Sequence, residues 1–344
     1  MDPRSTPTSA LADPAGALET LASQQGASFD HIFEARRYTA ERFDEIRSAL
    51  DPPIPESASV VLFGSWARME YTPHSDDDWA VLTRGADPED ASIADLVARC
   101  ADVLGVDERK PGSQDVFGAA FSCEELIGRI GLDDDTNTNL TRRMLLLLES
   151  RNIVGEAHAP CWEAVLRKYL SRGTKEHRPP RFLLNDLVRY WRTICVDFEG
   201  KHRDGGDDDP KWVLRNAKLR TSRKILFAGG LVPVLLCHLM EAADMEAFVA
   251  KQFSAPATDR LAAAFLQQGA LAEGVRTMSA YDRWIEMLQD ESVREELAKL
   301  RQATRDASPL FREISDLGHE IDGGLLALLF ETDLAPLTRR FGVI

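Results

Sequence analysis

Residues 60–70 read VVLFGSWARME, and residues 75–82 read SDDDWAVL. The first segment opens with an apolar, β-branched run, which predicts a buried strand, and the second ends in a run of the same kind. Gly64 and Ser65 follow the first run and predict a tight turn, where a backbone without a Cβ can approach a ligand closely. The two segments therefore predict neighbouring strands of one small sheet.

Three aspartates open the second segment. Asp76 and Asp78 are two residues apart on an extended chain, so their side chains leave on one face while Asp77 points to the other. Hard divalent cations prefer carboxylate and phosphate oxygens, and two such ions about 3.5–4 Å apart can hold both the attacking and the departing oxygen of a phosphoryl transfer. The pattern predicts a metal site, with solvated carboxylates at a strand end as the alternative.

The predicted turn complements this metal site. Backbone N–H groups at Gly64 and Ser65, together with the Ser65 hydroxyl, could contact the β- and γ-phosphates of a nucleoside triphosphate, because a turn leaves its donors free. Metal and turn together would offset the negative charge that such a substrate carries.

The motif resembles the Gly-Ser…Asp-x-Asp signature of the DNA polymerase β-type nucleotidyltransferase superfamily, in a version similar to bacterial proteins related to uridylyltransferase-type regulatory domains. About twenty residues carry the resemblance, namely Gly64-Ser65, Ala67-Arg68, Glu70 and Ser75-Asp76-x-Asp78. It implies an α+β fold, with a small mixed-sheet polymerase β-like core followed by a large all-helical domain. It also implies Mg²⁺ or Mn²⁺ at Asp76 and Asp78, and nucleotide contacts from Gly64, Ser65 and Arg68.

The superfamily usually carries a third carboxylate on a later strand. Residues 115–121, DVFGAAF, predict a short third strand, and Asp115 stands at its start. Asp115 is therefore the candidate third metal ligand, placed to orient or activate the attacking hydroxyl. The alternative is a loop aspartate that only caps the strand.

Length and composition predict two ordinary domains of a soluble protein. The chain has 344 residues, 44% of them hydrophobic and 28% charged, and no run approaches the ~18–20 apolar residues of a membrane span. The sequence before about residue 26 does not resemble a secretory signal, which predicts a cytoplasmic protein. Five scattered cysteines predict reduced, buried thiols. The net charge of −15 argues against an extended duplex-binding surface.

Three segments are predicted along the chain. Residues 1–28 form a flexible N-terminal segment, residues 29–155 the catalytic core with a leading helix at 29–50, and residues 156–344 a helical substrate- or acceptor-binding domain. Within the core, a second amphipathic helix is predicted at 91–104. The active site is expected in the groove between core and helical domain.

The helical region contains two patterns of interest. Residues 183–198 form an apolar stripe typical of a packed helix. Residues 211–227 predict a central helix, ended by Gly229-Gly230, in which six basic residues are interleaved with apolar ones. Residues 310–317 and 321–330 predict two separate helices near the C-terminus.

The basic helix offers a second binding element. Lys211, Arg215 and Lys218 fall at i, i+4 and i+7 on one face, a spacing that could hold a triphosphate or the phosphates of an acceptor. The alternative is ion pairing with the acids of the chain, the long stems lying along apolar surface.

A further cluster of charge lies at residues 133–143, DDDTNTNLTRR. The three aspartates predict a loop that caps a helix, since carboxylates are favoured before a helix N-terminus. Arg142 and Arg143 are expected to pair with these aspartates, the other candidate partner being a nucleotide phosphate.

The resemblance implies transfer of a nucleoside monophosphate to a hydroxyl, with release of pyrophosphate. The preferred acceptor is a nucleotide or oligonucleotide, without a template, as in bacterial defence-signalling enzymes of the superfamily. A protein hydroxyl is the second acceptor and a small molecule the third. A nucleotide-binding regulator without catalysis is the alternative from another class.

Overall fold

The computed structural model describes residues 13–50, 53–104, 116–131, 133–205, 209 and 211–342, with the backbone alone at 202, 204 and 205. The chain divides into two compact units. A sheet unit comprises Phe33–Arg172, and a helical unit comprises Met1–Ile32 with Gly173–Ile344. The helical unit is therefore built from both ends of the chain.

The described residues of the sheet unit form four strands, β1 (Ala58–Phe63), β2 (Trp79–Thr83), β3 (Ala120–Ser122) and β4 (Ser150–Gly155). Their order is β3-β2-β1-β4, with β1 antiparallel to both of its neighbours and β2 parallel to β3. Leu62 pairs with Trp79, and Phe63 pairs with Ser150. The two predicted strands are thus hydrogen-bonded neighbours in a mixed sheet, and the fold is α+β.

The helices that accompany the sheet in the described segments are α2 (Asp30–Ala49), α3 (Ala91–Val103), α4 (Cys123–Gly128), α5 (Asn137–Leu148) and α6 (His158–Leu170). Buried side chains of α2 and α3 pack on the apolar residues of β1 and β2, among them Phe43, Ile46, Val60, Leu62, Val81, Ile93 and Leu96. The amphipathic patterns at 29–50 and 91–104 correctly predict α2 and α3.

The helical unit contains α1 (Ala17–Gln25), α7 (Arg181–Gly205), α8 (Trp212–Arg220), α9 (Ser222–Leu236), α10 (Met245–Ser254), α11 (Ala257–Gln268), α12 (Leu271–Gln289), α13 (Glu291–Lys299), α14 (Pro309–Phe330) and α15 (Ala335–Leu337). Short 3₁₀ helices lie at Cys237–Leu239 and Gln302–Ala307, and a π-helical turn lies at Thr338–Gly342. Helix α1, which the sequence pattern does not predict, buries Leu18 and Leu21 and packs on α11 and α12.

The helix ends predicted in the basic region are wrong. The break comes at Thr221, whose backbone is not helical, and α9 continues through Gly229-Gly230. A Cβ on Gly229 would lie 2.9 Å from the Cβ of Ala257. Gly229 therefore lets α9 and α11 approach closely and does not end a helix.

Two cysteines form a disulfide, which corrects the expectation that all five are reduced. Cys123, at the start of α4, is bonded to Cys161 of α6, with Cα atoms 5.7 Å apart. Cys100, Cys195 and Cys237 are free.

One stretch, Trp212–Leu239, is apolar and long enough to cross a membrane by length and composition. Of its most apolar window, 72% is buried inside the protein. This burial is consistent with a core helix of a soluble protein, while a cytoplasmic location stays a prediction.

Candidate active site

The turn after β1 presents a row of open backbone donors. Gly64 has a φ of +62°, and the turn is closed by bonds from the Arg68 N–H to the Gly64 carbonyl (3.0 Å) and from the Glu70 N–H to the Ser65 carbonyl (2.8 Å). In the described part of the chain, the N–H groups of Ser65, Trp66 and Ala67 find no acceptor. Successive free amides of this kind form an anion-binding concavity.

Asp78 lies directly against this turn. A Cβ built on Gly64 would be 3.0 Å from Asp78 Oδ2, and the Phe63 N–H donates to the Asp78 carbonyl at 2.8 Å. A glycine is therefore required at position 64 for two reasons: the backbone is left-handed there, and a Cβ would crowd the Asp78 carboxylate. The structure brings Gly64, Ser65 and Asp78 together.

Asp76 and Asp77 lie in opposite environments, as the strand alternation predicts. Asp76 is exposed and makes no ion pair within the described residues. Asp77 is 2% exposed, and its Oδ1 accepts hydrogen bonds from Trp66 Nε1 (3.0 Å) and the Tyr71 hydroxyl (2.8 Å). Asp77 thus ties the chain between Asp76 and Asp78 to the turn through Trp66.

Arg68 is held by two buried carboxylates. Its Nε donates to Glu70 at 2.8 Å, and its Nη1 donates to Glu149, the residue before β4. The three side chains are 11%, 4% and 0% exposed. The guanidinium therefore links the turn to the neighbouring strand, and its predicted contact with a nucleotide stays a prediction.

Asp115 lies outside the described residues. The chain that follows it runs beside the site, because the Gly118 N–H donates to the Trp79 carbonyl at 2.8 Å. The ring of Phe117 lies 5.7 Å from that of Phe63, the residue before Gly64. The predicted third strand is correct in place but is shorter, beginning at Ala120.

Lys211, Arg215 and Lys218 belong to the helical unit, where Lys211 precedes α8 and the other two lie within it. Arg215 Nη1 donates to Asp209 Oδ2 at 2.6 Å. Lys211 is exposed, and Lys218 is half-buried with its own interaction. For Arg215, the ion pairing considered as the alternative is therefore present.

The second arginine cluster also has its partners. Arg143 is fully buried and donates to both carboxylate oxygens of Asp135 at 2.8 and 2.6 Å, which confirms the pairing predicted for this residue. Arg142 lies over the ring of Phe121, its guanidinium carbon 4.9 Å from the centroid.

The donor set fits a hard cation. Asp78 places a carboxylate oxygen beside the open amides, Asp76 is an exposed acid two residues before it, and Mg²⁺ is commonly held by one or two carboxylates plus substrate phosphates. Within the described residues, no group of three His, Cys, Asp or Glu side chains could enclose a metal by itself. A nucleotide or Asp115 would have to complete the coordination.

Sequence reasoning missed the two supporting acids, Asp77 and Glu149. Trp66, inside the first segment, and Tyr71, directly after it, are a signal for such an acceptor, because buried indole and phenol groups need hydrogen-bond acceptors. Glu149 carries no comparable signal, since its contact depends on the pairing of β4 with β1.

No protein-family model matches the chain, and no curated protein matches it.

Proposed function

We propose that the chain is a metal-dependent, template-independent nucleotidyltransferase that moves a nucleoside or deoxynucleoside monophosphate from its triphosphate to a hydroxyl. The observation that carries this proposal is the contact of the Asp78 carboxylate with Gly64, next to three open amides and the exposed Asp76. This arrangement would place cation ligands beside phosphate donors, as phosphoryl transfer requires.

A polymerase β-like core is part of the proposal. The mixed sheet supports it, because β1 leads into the turn and β2 leads away from the carboxylates. Asp76 and Asp78 would hold Mg²⁺ or Mn²⁺, and the bound cation would offset charge on the phosphates and on the departing pyrophosphate.

This chain's own residues would orient the substrate. The N–H groups of Ser65, Trp66 and Ala67 and the Ser65 hydroxyl would bind the β- and γ-phosphates. Arg68, through Glu70 and Glu149, would keep the turn in place, and Asp115 would orient or accept a proton from the attacking hydroxyl.

The preferred acceptor remains a nucleotide or oligonucleotide held by Lys211 and Lys218, in a cytoplasmic defence-signalling enzyme. A protein hydroxyl is the second candidate, because Arg215 is already paired with Asp209 and the net charge is −15.

The test is to incubate the protein with each labelled NTP and dNTP plus Mg²⁺ or Mn²⁺, with and without oligonucleotide or protein acceptors, and to separate products by size. Asp76→Ala and Asp78→Ala should each abolish transfer while circular dichroism shows a retained fold. Asp115→Asn should lower kcat by orders of magnitude with little change in nucleotide affinity, because it acts on the attacking hydroxyl.

Glu56→Ala is the matched control, since this exposed acid lies before β1, at the end away from Gly64. Wild-type turnover in Asp76→Ala and Asp78→Ala would refute the proposal. Metal-dependent nucleotide binding without any product would instead favour the regulator that lacks catalysis.

A further inference from the structure

A groove of about 500 Å³ runs along the outer side of β3 in the sheet unit. Its floor is the chain at Gly118, Ala119, Ala120 and Phe121, and one wall carries Ala94 and Val97 of α3. The volume is within the range of ligand sites, about 300–1,000 Å³. The proposed transfer reaction does not use this groove.

Among the described residues, the floor of the groove is a sheet edge with no strand beyond it. β3 is the outermost strand, and Val81 is paired with Ala120. The Val81 N–H donates to the Ala119 carbonyl at 3.1 Å. Val81 therefore forms its ladder hydrogen bonds with the residues before and after Ala120, and not with Ala120 itself. In a parallel ladder this arrangement turns the N–H and C=O of Ala120 away from β2 and toward the groove.

The rim of the groove is acidic. Asp87, Glu89 and Glu125 are exposed, and none of them makes an ion pair with a described residue. Among the described lining residues, Arg142 is the one cation, and it lies over Phe121. The described lining therefore carries three carboxylates and one guanidinium, which disfavours an anionic ligand such as a nucleic acid.

We propose that this β3 groove binds an extended, basic segment of a partner protein, which adds to the sheet as a strand beside β3. The main-chain groups of Ala120 would pair with the segment, as in other cases of strand addition. Side chains of an extended segment alternate between two faces. Apolar ones would therefore contact Ala94 and Val97, while lysines or arginines would reach Asp87, Glu89 and Glu125.

The experiment measures fluorescence anisotropy of a labelled acetyl-Val-Lys-Val-Lys-Val-Lys amide with the full chain, at low and at physiological salt. We expect saturable binding with a Kd of about 10–100 μM, weaker at higher salt. Asp87→Lys with Glu125→Lys should weaken binding at least tenfold, because about 1.4 kcal/mol corresponds to a factor of ten. The same peptide with glutamates for lysines should not bind.

Ala120→Pro tests the backbone contact. Proline removes an N–H that faces the groove and no bond of the β2 ladder, and edge strands tolerate it there. Binding should again fall at least tenfold, with an unchanged circular dichroism spectrum. Glu56→Lys, which makes the same charge change on an exposed acid outside the groove, should bind as wild type.

The proposal is overturned if no saturation occurs by about 1 mM peptide, or if Asp87→Lys with Glu125→Lys binds as wild type. Asp87 and Glu125 are exposed, so Asp87→Lys with Glu125→Lys should fold, and this variant still tests the proposal if Ala120→Pro does not fold. Direct binding of a labelled single-stranded oligonucleotide that is lost in Ala120→Pro would also overturn it.

Peptide binding is measured in Asp78→Ala as well. Retained binding without nucleotide transfer there is expected, because groove and carboxylate pair act separately. A wild-type chain that binds the peptide but transfers no nucleotide would refute the proposed function alone.

Discussion

Asp77→Ala should destabilise the sheet unit while leaving both proposed metal carboxylates in place. Asp77 is 2% exposed and accepts from Trp66 Nε1 at 3.0 Å and from the Tyr71 hydroxyl at 2.8 Å. Each buried donor that loses its acceptor costs about 1–3 kcal/mol. Removing a buried carboxylate recovers part of this cost, so we expect a loss of about 2–4 kcal/mol.

Two milder variants bracket this value. Asp77→Asn keeps one acceptor oxygen, but that oxygen is no longer charged. Because a charged acceptor forms the stronger hydrogen bond, the free energy of unfolding should fall by about 1 kcal/mol. Tyr71→Phe removes one donor and leaves the Trp66 bond, with a similar expected cost of about 1 kcal/mol. We expect Asp77→Ala to lose more stability than either Asp77→Asn or Tyr71→Phe.

The assay is native-state hydrogen exchange of the β1 amides, because a chain with two units need not unfold in one transition. Nucleotide transfer is measured in parallel at a temperature where the variants are folded, and it should fall less in Asp77→Ala than in Asp78→Ala. A loss below about 1 kcal/mol for Asp77→Ala would show that these bonds do not stabilise the unit. A folded Asp77→Ala as inactive as Asp78→Ala would refute the alternating geometry of the three aspartates.

Three further predictions concern the rest of the chain. Arg215→Gln and Asp209→Asn should show a coupling free energy of about 1–2 kcal/mol in a double-mutant cycle, since the side chains are 2.6 Å apart and partly buried; additive effects would contradict the pairing. Burial lowers the pKa of His158 from 6.5 to about 4, so the unfolded chain binds a proton at this residue between these pH values and the folded chain does not. The free energy of unfolding should therefore be highest above about pH 6.5 and should fall toward pH 4, by about 1.4 kcal/mol per pH unit. Urea titrations should show this slope reduced in His158→Gln. Cys123→Ser should lower the free energy of unfolding by about 4 kcal/mol, because the disulfide to Cys161 closes a loop of 38 residues in the unfolded chain. Thiol titration of the denatured, unreduced wild type should find three thiols rather than five.

The central strands and the helices that cover them could be predicted because their patterns are local. Val60–Phe63 and Trp79–Leu82 are apolar and buried on both faces. Strand β4 was not predictable, because SRNIVG contains only two apolar side chains, Ile153 and Val154, and no alternating apolar pattern. Its strand character comes from pairing with β1, a contact across about ninety residues that no local pattern records.

Glycines caused the main errors in the helical unit. Residues 310–317 and 321–330 belong to one helix, α14, that contains Gly318 and Gly324. A Cβ on Gly318 would lie 3.2 Å from Arg220, and one on Gly324 would lie 3.1 Å from the Glu273 carbonyl. These glycines allow close helix packing, which sequence alone does not distinguish from a helix end.

In the candidate site, the motif predicted the turn and the carboxylates but not the side chains that hold them. Asp78 against Gly64 follows from strand pairing between two adjacent segments. The bond from Arg68 to Glu149 joins side chains 81 residues apart in sequence, so it depends on the pairing of distant strands. The acidic groove along β3 was likewise not predictable, because its lining comes from four separate segments.

The division of the helical unit between the two ends of the chain has a consequence for synthesis on the ribosome. Helix α1 packs on α11 and α12, and Leu21 lies beside Gly274. At about 5–20 residues per second, these partners emerge tens of seconds after α1. The sheet unit is complete well before then. We therefore expect Leu18 and Leu21 to stay exposed to solvent on the nascent chain until α11 and α12 have been synthesised, and such exposed apolar surface favours aggregation.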